Sequence, residues 1–178
     1  VSPPTVFNYF GSKENILSAL VFEGTEKARS DSFDPYLLTE VPFSQVIGGL
    51  MIGLTDKTMA IAGKRIWRYA EAANIRRVGT DFQKRFDRVD RALRVLIVSF
   101  LDAYDITLLN AAEPDTNLLA DLIFDRWTAH YFEYIKEDDM TKTTHCEQLR
   151  ADARALVDLI FAPDFARRSP LKPRVAAE

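Results

Sequence analysis

One cysteine, Cys146, stands in the 178 residues, so no disulfide can close within the chain and no second thiolate is available for a zinc site. Histidine is nearly as scarce, with His130 and His145 alone. His145 adjoins Cys146, and neighbours on a helix do not face one metal; His130 precedes Glu133 at a spacing that can chelate but more often belongs to a hydrogen-bonded helix histidine. Gly-x-Ser-x-Gly, a glycine-rich phosphate loop and His-Glu-x-x-His are all missing. No catalytic residue, cofactor or metal is therefore expected, and the chain does not read as an enzyme. Seven glycines and eight prolines, mostly at breaks, argue against a strand-rich fold. No apolar run, Val95–Leu101 included, approaches the ~20 residues of a membrane span, so no membrane partner is expected. No signal-peptide pattern is visible, and a lone cysteine suits a reducing cytoplasm.

What is present describes a packed helical protein. A hydrophobic share of 47% beside 28% charged residues is globular, not disordered. A net charge of −3 does not describe a chain that is all nucleic-acid surface, but suits a small reading head on a larger acidic body. From Ser12 to about Phe161 the pattern is helical. The expected helices run Ser12 to about Arg29, onward from Val41-Pro42, about Ile61–Ile75, Thr80 to about Tyr104, about Asn117–Lys136 and about Lys142–Phe161, followed by an irregular tail over 163–178. Thr80-Asp81-Phe82-Gln83 matches a capping box. Beyond it Phe82, Phe86, Val89, Leu93, Leu96, Phe100 and Ala103 step by three or four, the mark of a long amphipathic helix. Gly48, Gly49 and Gly53 inside the second helix favour close helix contact over empty space.

Charge is segregated. Ten basic and four acidic residues lie between Lys64 and Arg94, but Asp81/Arg85, Asp87/Arg91 and Asp90/Arg94 are i,i+4 pairs, as on a solvated, salt-laced helix face. Between Asp102 and Asp139 the balance reverses, with ten acids against two bases, and a solvated surface is again the simplest reading.

The opening residues are the most specific. In Val1-Ser2-Pro3-Pro4-Thr5-Val6-Phe7-Asn8-Tyr9-Phe10-Gly11-Ser12-Lys13, Ser2 and the prolines start a helix of about two turns, Gly11 stops it and Ser12 caps the next. Val6, Phe10, Ile16 and Leu17 suit packing, which leaves Thr5, Asn8, Tyr9 and Lys13 outside. A helix of this size fits a DNA major groove.

Val1, Ser2, Thr5, Val6, Phe7, Tyr9, Phe10, Ser12, Lys13, Ile16 and Leu17 fall in register with the second half of the helix-turn-helix of the tetracycline-repressor (TetR) family of bacterial regulators, and the stretch resembles that motif. The match covers under a tenth of the chain. It departs at Phe7, where the family more often has tyrosine, so a phosphate-contacting hydroxyl is missing there. The resemblance implies two further helices before Val1, with residues 1–17 as the remainder of a DNA-binding domain and 18–162 as an all-α ligand-binding and dimerisation domain. It implies that Thr5, Phe7, Asn8, Tyr9 and Lys13 meet double-stranded operator DNA. It implies a cavity for a small apolar or amphipathic inducer among the predicted helices over 61–75, 80–104 and 117–136, with Trp67, Tyr69, Phe86, Phe100, Tyr104, Trp127 and Tyr131 as the candidate lining. The last two long helices are apolar on more than one face, and in the family they pair across a two-fold axis. A homodimer is thus implied, with Leu122, Trp127, Leu149, Ala153, Leu156, Val157 and Ile160 at its interface. The functional expectation is a ligand-released repressor. The alternative is an all-helical ligand-binding or dimerisation module without DNA function.

Overall fold

A computed structural model describes residues 41–172, so the hairpin of residues 1–17, with Thr5, Phe7, Asn8, Tyr9 and Lys13, lies outside the described residues. Six helices follow in order: α1 (Phe43–Ile61), α2 (Lys64–Arg76), α3 (Asp81–Leu101), α4 (Thr116–Lys136), α5 (Lys142–Ile160) and α6 (Pro163–Arg168). Among the described residues there is no strand, only isolated bridges from Tyr104 to Leu171 and from Leu108 to Phe161. The fold is all-α. No single helix among them is long and apolar enough to cross a membrane.

Local chemistry sets the helix starts. The Pro42 carbonyl accepts from Gln45 and Val46 as α1 begins. Thr80 caps α3, its hydroxyl accepting from the Gln83 amide at 3.4 Å. The return bond differs from an ordinary capping box: Gln83 Oε1 accepts from the amide of Gly79 at 2.6 Å, since that of Thr80 already donates to Arg77 O. Gly79 makes the turn at a φ of 77°, where only glycine is at ease. Asp115 caps α4 through the amides of Asn117 and Leu118, and Thr141 caps α5 through that of Thr144.

α1 buries Phe43, Val46, Ile47, Leu50, Met51 and Leu54 at helical spacing, with α5 as its main neighbour. Gly48 sits at that crossing, where a methyl group would lie 3.6 Å from the Cα of Arg150 and 3.7 Å from the Cβ of Ala153. α3 packs on α4, and α4 also touches α1, α2 and α5. At Ala62-Gly63 the chain turns by 94° from α1 into α2. The first turn of α2 is then fixed at the end of α4. Lys64 Nζ donates to the carbonyls of Glu137 and Met140, both at 2.7 Å, and Arg68 donates to that of Ile135 at 2.8 Å and to Asp138. The last carbonyls of a helix lack internal partners and carry partial negative charge, so two cations satisfy both needs.

Three boundaries differ from the sequence reading. Ile61 closes α1 instead of opening the next helix, and α2 begins at Lys64 after the break at Ala62-Gly63. α3 stops at Leu101 rather than Tyr104, because the backbone beyond it pairs with the C-terminal segment: Asp105 N with Pro170 O, Lys172 N with Ala103 O, Ala162 N with Thr107 O and Leu109 N with Ile160 O, at 2.8–2.9 Å. The region expected to be an irregular tail contains α6, with Pro163 in its first turn and Ser169 ending it at a φ of 46°. The hydroxyl of Ser169 donates to Val41 O at 2.8 Å. Phe43 packs edge-on against Tyr104, Phe161 and Phe165, with centroids at 5.2, 5.0 and 4.7 Å, so both ends of the described chain meet one aromatic cluster.

Gly49 lies inside α1 with nothing within 4 Å of where a Cβ would stand. Gly49→Ala is expected to raise stability by about 0.5–1 kcal/mol, through lower chain entropy in the unfolded state. Phe43→Ala is expected to cost about 3–5 kcal/mol. Urea midpoints of the two variants check both.

Candidate functional site: a carboxylate-bearing aromatic cavity

α1 to α4 enclose a cavity of about 220 Å³. α1 contributes Leu50, Leu54, Lys57 and Thr58; α2 contributes Trp67, Glu71 and Asn74; α3 contributes Phe86, Asp90 and Leu93; α4 contributes Phe124, Trp127, Thr128 and Tyr131. Helical repeat explains the set, since 67, 71 and 74 share one face of α2 and 86, 90 and 93 one face of α3.

Of the seven aromatics expected here, Trp67, Phe86, Trp127 and Tyr131 line the cavity. Tyr69, Phe100 and Tyr104 do not. Tyr69 is two residues from Trp67, on another face of α2, and is 57% exposed. Phe100 and Tyr104 pack on each other at 5.4 Å beside Phe43, at the end of α3 remote in sequence from Phe86. Trp127 stacks on Tyr131 at 5.3 Å, and the ring of Trp67 meets that of Tyr131 edge-on at 6.2 Å. The Trp67 indole donates to Thr58 O at 2.9 Å, so its orientation is set from α1. Gly53 also lines the cavity, whereas Gly48 serves close contact.

The polar lining escaped the sequence reading. Its signal was spacing, as Glu71 follows Trp67 by four and Asp90 follows Phe86 by four. The expected Asp90/Arg94 pair does not form. Arg94 reaches across to Asp121 and to Asp125 on α4 and lies 4.2 Å over the ring of Phe124. The expected Asp87/Arg91 contact is made to the backbone, Arg91 Nε donating to Asp87 O at 3.2 Å, and Asp81 faces Lys84 at 3.8 Å. With Arg94 committed elsewhere, Asp90 keeps only its longer-range influence, and burial raises its pKa. Glu71 accepts from the Tyr131 hydroxyl at 3.2 Å. Burial pushes its carboxyl up to about 7, against the pull of that hydrogen bond and with a push from Asp90. Asn74 Oδ1 and Thr128 Oγ1 are buried without a hydrogen-bond partner.

No family model, no curated protein and no solved structure matches the chain. The site stands on its own geometry.

Behind the cavity a buried relay joins three helices. Trp127 Nε1 donates to Thr55 Oγ1 at 3.0 Å, and that hydroxyl meets His145 Nε2 at 3.0 Å. An indole can only donate, so the Thr55 oxygen accepts from Trp127 and shares one further hydrogen bond with His145 Nε2. Burial keeps His145 neutral and brings its pKa down to about 4, with His130 and Lys64 adding repulsion. His130 has its Nδ1 3.9 Å from Glu133 and its Nε2 3.6 Å from Asp152, which Arg126 engages with two N–H groups. Among the described residues no group of three His, Cys, Asp or Glu side chains could hold a metal ion.

The residues assigned to a dimer interface divide. Leu122 is 39% exposed, and Leu156 and Ile160 are half-buried. Trp127, Leu149, Ala153 and Val157 are buried within the chain and cannot meet a partner, because the inward stripes of α4 and α5 are spent on α1 and the cavity. Leu118 on α4 and Leu159 on α5 stand out instead, at 58% and 74% exposed.

Glu71 and His145 give opposite pH dependences. The raised carboxyl makes the folded chain hold a proton that the unfolded chain releases, so stability falls as pH rises from 4.5 towards 7. The lowered imidazole contributes stability that is complete above 6.5 and lost as pH falls towards 4. Between 4.5 and 6.5 the two slopes oppose. Stability of Glu71→Gln is therefore expected to climb with pH more steeply than that of the parent across this window, and of His145→Gln less steeply, by up to about 1 kcal/mol per pH unit. Urea titrations at a series of pH values read both slopes.

Proposed function

We propose that the chain is the sensing and dimerising body of a TetR-type transcriptional regulator, a repressor that binds a palindromic operator as a homodimer and is released by a small apolar or amphipathic molecule. The observation that carries this reading is the aromatic cavity enclosed by α1 to α4, which has the concave, mostly apolar lining and the few polar groups of a small-molecule site. The resemblance of residues 1–17 to the second half of a TetR-type reading head supplies the output. In that arrangement Thr5, Asn8 and Tyr9 meet base edges or nearby phosphates, and Lys13 a phosphate at the start of the next helix. Two heads must stand about 34–36 Å apart to enter successive major grooves. A ligand moves that spacing only as far as it prefers one arrangement of the body over the other.

Pairing across a two-fold axis draws support from the outward apolar residues of α4 and α5. Leu118 and Leu122 form one stripe at the start of α4, and Leu159 lies near the end of α5. The two helices are joined by the short turn 137–141 and run antiparallel, with Tyr134 against His145 and Arg126 against Asp152, so the start of α4 and the end of α5 lie toward the same end of the body. The interface proposed here thus keeps Leu122 and replaces the buried residues by Leu118 and Leu159.

In gel shifts with the full-length protein, Tyr9→Ala is expected to weaken binding to the operator selectively. Lys13→Ala should weaken binding to every sequence and lower the salt slope by about one. If neither changes operator binding the reading head is misassigned, and if the intact protein binds no DNA the ligand-binding module without DNA function takes its place. Leu122→Glu combined with Leu159→Glu should move the protein from dimer to monomer in sedimentation equilibrium at micromolar concentration; a parent that is already monomeric there defeats the two-fold reading.

A further inference from the structure

We propose that the cavity takes an amphipathic organic cation, a protonated amine or quaternary ammonium on an aromatic or aliphatic body, with its charge against Glu71 and Asp90 and its body on the rings of Trp67, Trp127 and Tyr131. The inference rests on the cavity being a ligand site and names the class of that ligand.

The polar groups turned towards the cavity are chiefly acceptors. Glu71 receives one hydrogen bond, from Tyr131, and among the described residues neither Glu71 nor Asp90 has an ion-pair partner. Asn74 and Thr128 belong to the same lining, and their Oδ1 and Oγ1 are buried with no hydrogen-bond partner. Glu71 and Asp90 are half-buried, and a carboxylate partly withdrawn from water without a counter-charge is costly, while a buried acceptor left without a donor adds to the cost. The neighbouring arginines do not relieve it: Arg94 is held by Asp121 and Asp125, and Arg68 by Ile135 O and Asp138. A ligand carrying N–H donors and one positive charge supplies what the lining lacks. The rest of the wall suits such a molecule, since indole and phenol faces attract cations as well as apolar groups.

Lys57 from α1 also lines the cavity, so the titratable groups that share the lining with Glu71 are Asp90 on α3, the neutral Tyr131 hydroxyl on α4 and the Lys57 ammonium. With two carboxylates against one ammonium, a cation is preferred over an anion. Glu71 also sets a pH signature. A carboxyl raised to about 7 must release its proton to pair with the ligand. Cation affinity should therefore fall as pH drops below about 7, by up to roughly tenfold per unit.

The chain holds two tryptophans and both line the cavity, so intrinsic emission reports its occupancy directly. The test titrates the full-length protein at pH 8 with three probes of one skeleton: phenylbutylamine, uncharged phenylbutanol and anionic phenylbutyrate. The amine is expected to bind at least tenfold more tightly than either. Glu71→Gln and Asp90→Asn should each reduce that preference, and the double variant abolish it, while phenylbutanol still binds every variant and so certifies an intact cavity. Equal or tighter binding of the alcohol or the acid overturns the cation assignment and leaves the ligand site standing, as does an amine preference that survives the double variant. Failure of all three probes to alter the emission at millimolar concentration overturns the ligand site as well.

Discussion

Lys64 and Arg68 reach from the first turn of α2 to the carbonyls that close α4, and the cavity depends on that link. After a turn of 94° from α1, this link adds to the burial of Trp67, Ala70 and Ala73 in holding α2 against the body. The end of α4 offers oxygens without intrahelical partners, and two cations arrive on one helix face, four residues apart. Lys64 also lies 4.0 Å over the ring of Tyr134, so the same ammonium serves carbonyls and an aromatic face. Its desolvation, which lowers its pKa, is the counterpart of that engagement. With α2 fixed there, Trp67 and Glu71 project towards α3 and α4, and the enclosed space acquires both aromatic surface and charge.

Much of this was legible in the sequence because it is local. Thr80, Asp115 and Thr141 are cap residues whose bonds span two or three positions, so the helices begin where such residues stand. The buried faces of α1 and α3 follow from spacing alone. Long-range choices were hidden. Arg94 has Asp90 one turn away, yet two aspartates on α4 hold it instead, and no i,i+4 rule can express that competition. Tyr104 fits the apolar repeat of α3 but lies in a bridge to Leu171, which ends the helix early. Tyr69 reads like its neighbour Trp67, yet a step of two along a helix places it in solvent.

The same distinction governs α4 and α5. Their composition announces more apolar residues than one face can hold, but not which face turns inward. Contacts with α1, α2 and α3 claim the stripe through Leu119, Ile123 and Trp127, and what remains outside is smaller and mixed with charge. Asp121 and Asp125, beside Leu118 and Leu122, are already occupied by Arg94, so the outward face of α4 is less acidic in effect than its residues suggest.

Ser169 joins the two ends of the described body through one hydroxyl, donated to the carbonyl of Val41 just ahead of α1. The left-handed residue that stops the last helix is thus also the latch on the first. Fraying from the N-terminal side has to release this latch, and fraying from the C-terminal side has to release the same one. Loosening the described body at either extremity therefore breaks the same bond, and the two are coupled through it.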